Sequence, residues 1–202
     1  MWKFVVAGLL IGYFMGAIPV GYLVGLAFGK DVRRHGSGRT GGTNVWRAAG
    51  VPAAILTVLG DALKAVIAVL LVRYLWHHEW AVAAAGIGVV LGHNWPVWLG
   101  FRGGAGGVVG GITLVTINPL AGLAVIPLAI ANLYFTRYAS IGTLNVGLGA
   151  VAVLLALWLE DPQQTPLAHV IYAIVMALAI LWALRPNIER LHKKEERQIT
   201  IW

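Results

Sequence analysis

The sequence predicts an all-α, polytopic integral membrane protein with seven transmembrane helices, two of them short, the N-terminus outside and the C-terminus inside. Three observations carry that prediction. Of 202 residues, 59% are hydrophobic and only 11% charged, against roughly 45–50% and 25% in an average soluble domain. So little charge cannot cover a soluble globule, and so much apolar content excludes a disordered chain. Apolar runs of about 20 residues, the length needed to cross a bilayer core of ~30 Å, recur along the chain. The 15 Lys and Arg outnumber the 8 Asp and Glu, for a net charge of +7, and most of them lie between those runs. No cysteine is present, which rules out disulfides, Cys-type zinc sites and thiol nucleophiles. No long basic tract interleaves with aromatics, so nucleic acid is not expected as a partner.

Taken in order, residues 4–29 form an uncharged run of 26. That is too long for the core of a signal peptide and reads as a retained span, with Pro19 permitting a kink. Residues 51–76 follow, interrupted by Asp61 and Lys64. The run 80–100 carries His93 and Pro96, and 140–159 and 166–184 are the last two clear spans. Residues 107–136 would make one helix of about 45 Å, too long for a single crossing and too short for two full ones. Asn118-Pro119 near the middle disfavours a continuous helix. Charge arbitrates, because short cytoplasmic loops are enriched in Lys and Arg. Five basic residues lie in 30–47, one at 102, one at 137 and five in 185–202. All twelve share one side only if 107–136 crosses as two short or re-entrant helices. The chain then reads as one membrane domain, 1–202, with loops 30–47, 92–107 and 185–197 on the cytoplasmic face. His77, His78 and Glu79 read as a solvated outer loop, and the outer half as poor in polar residues.

Chemistry concentrates in polar islands. Residues 36–42 hold four glycines, which lets backbone N–H groups point into one anion-binding concavity. Ser37, Thr40, Thr43 and Asn44 add donors there, and Arg39 and Arg47 add charge-assisted contacts that suit phosphate. A flexible loop whose arginines merely set topology is the alternative. In the second island six glycines fall among residues 103–111; glycine is poor in helix interiors, so the run either wraps a ligand or, in its later part, forms a tight helix seam. It lacks the Walker-loop pattern. Asp61 and Lys64, three apart, share a helix face and read as a buried pair. His93 reads as a hydrogen-bonded structural histidine, and no His/carboxylate spacing suggests a metal site. The third island, 185–197, is a basic juxtamembrane segment of the kind that attracts anionic lipid headgroups.

In order, the islands resemble the bacterial acyl-phosphate:glycerol-3-phosphate acyltransferase family (PlsY). Residues 36–47 follow the motif G-S-G-N-x-G-A-T-N-x-x-R with Arg39 and Gly42 as departures, and Asp61 and Lys64 match a D-x-x-K. Gly92, His93, Pro96, Phe101, Arg102, Gly103, Gly104 and Gly106 match G-H-x-x-P-x-x-x-x-F-[KR]-G-G-K-G. Arg185, Asn187, Ile188, Arg190, Leu191 and Glu196 match H-R-x-N-I-x-R-L-x-x-G-x-E. The resemblance covers essentially the whole chain. It implies a seven-helix enzyme of the bacterial inner membrane that moves an acyl group from acyl phosphate to the 1-hydroxyl of glycerol 3-phosphate, giving lysophosphatidic acid without metal or cofactor. A monomer among membrane lipids is expected. The roles it implies are catalytic for Ser37, Arg47 and Asn187. Phosphate binding falls to Gly36, Gly38, Arg39, Thr43, Asn44, Arg102, Gly103, Gly104, Gly106, Arg185 and Arg190. Asp61, Lys64, His93 and Glu196 are supporting.

Departures qualify the transfer. The lysine of the second motif is Ala105 here, the histidine of the third falls at Leu184, Lys194 replaces a tail glycine and Ala65 the glycine after D-x-x-K. A lost phosphate-directed ammonium is worth roughly 1.5–3 kcal/mol, and Arg39 is expected to return that charge from the facing loop. The alternatives are a divergent member that binds a phospholipid or phosphometabolite without this activity, or one that acylates another acceptor. An organic-phosphate transporter ranks last.

Overall fold

A backbone in lipid must satisfy its polar groups within itself, so each apolar run folds as helix. In this computed structural model, which describes residues 2–200, the helices are α1 (Trp2–Ala17), α2 (Val20–Ala27), α3 (Gly42–Ala49), α4 (Val51–Trp76), α5 (Glu79–Asn94), α6 (Gly107–Ile117), α7 (Pro119–Thr136), α8 (Ala139–Glu160) and α9 (Leu167–His192). Residues 1, 201 and 202, the ends of the expected 1–202 domain, lie outside the described residues. Six segments are long and apolar enough to cross a membrane, the first combining α1 with α2; α6 is a shorter apolar helix. Large side chains such as Val6, Leu10 and Phe14 on α1 and Leu59 and Leu63 on α4 point outward, as a lipid-facing surface requires.

Several expected boundaries move. The run 4–29 is broken, not kinked, at Ile18 and Pro19, because proline has no N–H to continue the ladder. The Ile18 carbonyl left at the break accepts from Lys64 Nζ at 2.8 Å. The span expected over 80–100 ends at Asn94, followed by a short 3-10 turn, Val97–Leu99. The division of 107–136 falls at Asn118-Pro119 as expected: Asn118 Oδ1 caps α7 by accepting from the Ala121 N–H at 3.0 Å. The largest correction is at the end of the chain. The segment 185–192, expected as part of a polar tail, continues α9 through Pro186 to His192.

Glycine spacing sets the tightest packing. Gly8, Gly12 and Gly16 stack on one face of α1, and a Cβ on any of them would strike the backbone of α5 at Ala81, Ala85 or Val89. Gly88 and Gly92 of α5 return the contact against Leu9 and Tyr13. This is the small-residue seam by which helices associate in lipid, where burial of apolar surface gives no driving force. Gly107 and Gly110 of α6 likewise lie against Thr143 and Met176, so the later glycines of the second island form a seam.

The end of the bundle away from the glycine loops is not featureless. Arg73 donates to the Thr116 and Ile117 carbonyls at 2.7 and 3.1 Å. It thereby satisfies the C-terminus of α6, an 11-residue helix of about 16 Å that stops short of a full crossing. Glu79 pairs with His169 at 2.8 Å. The loop expected to be solvated at 77–79 therefore includes a carboxylate tied to α9.

Replacing Gly12 with Leu overfills the α1–α5 seam, at about 1–3 kcal/mol. The expected outcome is a lower unfolding midpoint in detergent, with Leu10→Ala on the outward face of α1 as the control that leaves it unchanged.

Candidate active site

The loop before α3 is built by its own side chains. Asp31 caps the 3-10 turn Val32–Arg34 by accepting from the Arg33 N–H, and its carboxylate takes two further bonds from the Arg33 guanidinium at 3.0 and 2.9 Å. These hold its pKa down, at about 2. Gly36 and Gly38 adopt φ of +51° and +71°, a region open to glycine at little cost. Asn44 fixes the curl from inside: its Oδ1 accepts from Ser37 N–H at 2.9 Å, and its Nδ2 donates to the Val32 and Arg39 carbonyls. Both amide hydrogens are thus spent on the loop, and Asn44 shapes the cradle where a phosphate donor was expected. Ser37 Oγ accepts from the Arg39 N–H at 3.5 Å.

Below this loop stands a buried polar cluster. Lys64 Nζ lies 2.7 Å from Asp61 Oδ1 and 3.3 Å from His93 Nδ1. The same Nδ1 lies 3.6 Å from Asp61 Oδ1, so the three side chains form one cluster. The His93 ring is packed against Gly104, where any Cβ would collide with it. The backbone carbonyls of His93 and Asn94 accept from the Gly104 and Gly103 N–H groups at 2.9 and 3.1 Å. Through these contacts the cluster links the break before α2, by Lys64 on the Ile18 carbonyl, to the glycine turn, by the His93 ring on Gly104.

Arg39 joins the segments. Its Nη1 donates to the Gly104 carbonyl at 3.0 Å, and its Nη2 donates to the Ala183 carbonyl and to Asn187 Oδ1, the latter at 3.3 Å. The backbone adds a bond from Thr40 N–H to the Gly103 carbonyl. Burial, with the charge of Arg190 behind it, pushes the Arg39 pKa down, yet a guanidinium remains cationic. Gly104 precedes Ala105 and Ala183 precedes Leu184, so Arg39 bonds the residue before each of two positions that depart from the motifs. Leu184 is buried and packs in the core.

The chain after α9 folds back over this site. Glu196 accepts from Asn187 Nδ2 at 2.7 Å and from Arg190 Nε at 2.8 Å, and Ser140 Oγ lies 3.5 Å away. Arg47 Nη2 reaches the carbonyls of Arg197 and Gln198, and Ile199 is buried with its N–H on the Arg137 carbonyl.

Three cavities meet here. The largest, about 1000 Å³, is lined by Arg33, Arg34, Arg102 and Arg185 at its rim and by Ser37 and Arg39. Arg185 also stacks on Trp182 at 3.5 Å from the ring centre. A second, of about 280 Å³, shares Ser37 and Arg39 and reaches Thr43, Arg47, Asn187 and Glu196. The third, about 370 Å³ and mostly apolar, runs between α6, α7 and α8 and shares Thr43, Gly107 and Thr143 with the second. Of the residues singled out by sequence, Gly36, Gly38, Gly103, Gly104 and Gly106 form the turns, and Arg39, Arg47, Arg102, Arg185, Ser37 and Asn187 border the cavities, while Arg190 pairs with Glu196. Three residues escaped that reading. Asn94 lines the largest cavity and is buried with neither amide atom partnered, an arrangement that costs about 1–3 kcal/mol. Ser140 and Arg34 are the others, and no periodicity or motif position marks any of them.

The sequence profile described as glycerol-3-phosphate acyltransferase matches residues 6–194. Proteins named glycerol-3-phosphate acyltransferase from Rubrobacter xylanophilus and Symbiobacterium thermophilum are 42% and 40% identical, over 94% and 95% of this chain and 92% and 93% of theirs. The crystal structure of PlsY (YgiH), an integral membrane glycerol 3-phosphate acyltransferase in its glycerol 3-phosphate form, superposes with a TM-score of 0.86 at 28% identity, covering 96% of this chain and 95% of that one. Its lysophosphatidic acid form gives 0.84 at 27% identity, with the same coverage.

Lys194, at φ +59°, closes α9: the Glu195 N–H after it bonds the Arg190 carbonyl at 2.8 Å, an arrangement glycine usually provides. A side chain in that conformation costs roughly 1–2 kcal/mol. Lys194→Gly is expected to raise the unfolding midpoint, measured in detergent, and to leave activity unchanged.

Proposed function

This chain belongs to the glycerol-3-phosphate acyltransferase family, and from that membership we propose that it transfers an acyl group from acyl phosphate to glycerol 3-phosphate, giving lysophosphatidic acid. It is an acyltransferase of phospholipid biosynthesis and a multi-pass membrane protein. Acyl phosphate as donor, the bacterial inner membrane as location and a monomeric state are part of this reading. So is a seven-span topology with the N-terminus out, the C-terminus in and loops 30–47, 92–107 and 185–197 on the cytoplasmic face of a single domain.

The observation that carries it is the junction of cavities. A polar chamber rimmed by arginines shares Ser37 and Arg39 with a second pocket, which shares Thr43, Gly107 and Thr143 with an apolar groove. A phosphorylated, water-soluble acceptor suits the first, and a fatty acyl chain suits the last. The reaction then asks little covalent chemistry of the protein. Acyl phosphate is a mixed anhydride with a good leaving group. The acceptor hydroxyl attacks the acyl carbon, the bond to the phosphate oxygen breaks, and the proton passes to a phosphate oxygen. Orientation and charge neutralisation supply the rate. In this reading Ser37, Arg47 and Asn187 contact the reacting groups, and Arg39, Arg102 and Arg185 hold phosphate; the Gly103 and Gly104 N–H groups are spent on the Asn94 and His93 carbonyls and Arg190 on Glu196. Ser37 serves as a hydrogen-bonding group, since its hydroxyl has only the Arg39 N–H as partner among the described residues.

Purified protein given a long-chain acyl phosphate and labelled glycerol 3-phosphate is expected to form labelled lysophosphatidic acid, and Asn187→Ala to lower kcat/KM at least tenfold. Tight binding of both substrates without product would overturn the reaction assigned here.

A further inference from the structure

We propose that Asn94 recognises the hydroxyl end of the acceptor, an assignment that rests on the reading above and deepens it. Asn94 is the last residue of α5 and only 3% exposed. Its backbone is fully employed: the N–H belongs to the helix and the carbonyl accepts from Gly103. Its side chain is not. Neither Oδ1 nor Nδ2 has a hydrogen-bond partner among the described residues, although buried amides are nearly always paired. The residue lines the largest cavity together with Ser37, Arg39 and Arg102. The neighbouring position is Gly106, where a Cβ would come within 3.2 and 3.3 Å of the two amide atoms, so the glycine leaves the amide uncovered.

The chemistry of the group selects its partner. A neutral amide offers a donor and an acceptor side by side, which complements a hydroxyl that both accepts and donates. Phosphate wants charge, and the charge lies elsewhere around the same cavity, on Arg33, Arg34, Arg102 and Arg185. A small ligand with phosphate at one end and hydroxyls at the other would meet the arginines with the first and Asn94 with the second. That polarity turns the hydroxyl end inward, toward Ser37 and the acyl pocket.

Binding tests this without turnover. The full-length protein in detergent is titrated with glycerol 3-phosphate and with methyl phosphate, which has the phosphate and no hydroxyl. Wild type is expected to bind glycerol 3-phosphate at least tenfold more tightly than methyl phosphate. In Asn94→Leu that preference disappears, while methyl phosphate affinity stays within twofold and the unfolding midpoint is not lowered, because no protein hydrogen bond has been removed. A retained preference in the variant overturns the proposal, as does a wild type without one. Affinities for both ligands falling together with the midpoint, or a Leu variant that does not fold, mark a structural role and overturn it too. A wild type that shows the preference yet makes no lysophosphatidic acid contradicts the reaction and leaves Asn94's assignment standing.

Discussion

The guanidinium of Arg39 donates to Gly104, Ala183 and Asn187, and through those bonds it ties together three segments more than sixty residues apart. A cation this deep needs acceptors, since burying it unpaired would cost several kcal/mol. The fold provides them where helices are interrupted. Gly104 lies in the turn before α6, and Ala183 lies one turn before Pro186 in α9, where the missing proline N–H opens the ladder at the adjacent Trp182 carbonyl. Charge-assisted bonds of this kind contribute about 1.5–3 kcal/mol, so the loop before α3, the glycine turn and the end of α9 are held as one body.

Several polar side chains close such interruptions. The break before α2 is closed by Lys64 on the Ile18 carbonyl, and the same lysine, with Asp61 and His93, seats the glycine turn. The C-terminus of the short α6 is closed by Arg73. In lipid an open backbone group is costly, and Lys64 and Arg73 each remove that cost where a helix stops. The glycines do the complementary work: Gly8, Gly12 and Gly16 bring α1 onto α5, and Gly36, Gly38 and Gly106 take up positive φ.

Helices and their membrane character were legible because composition and run length report them directly. The split at Asn118-Pro119 was legible from length and charge together. The end of α9 was not, since a polar, proline-containing stretch looks like a tail until Arg39 and Glu196 are placed against it. Within the site, the glycine and arginine positions could be read from their spacing. What those residues bond to could not: Asn44 and Arg190 look like phosphate donors in sequence, yet one organises its own loop and the other pairs with Glu196. Asn94 was invisible for the opposite reason, because an asparagine without a partner carries no pattern.

If Arg39 holds the site together through Asn187, the two residues must be energetically coupled in catalysis. A double-mutant cycle of Arg39→Asn and Asn187→Ala, read as kcat/KM for lysophosphatidic acid formation, measures that coupling. The account predicts that the double variant loses less than the sum of the single losses, by about 1–2 kcal/mol, within the range for groups sharing one hydrogen-bond network. Additivity to within about 0.3–0.5 kcal/mol would contradict it.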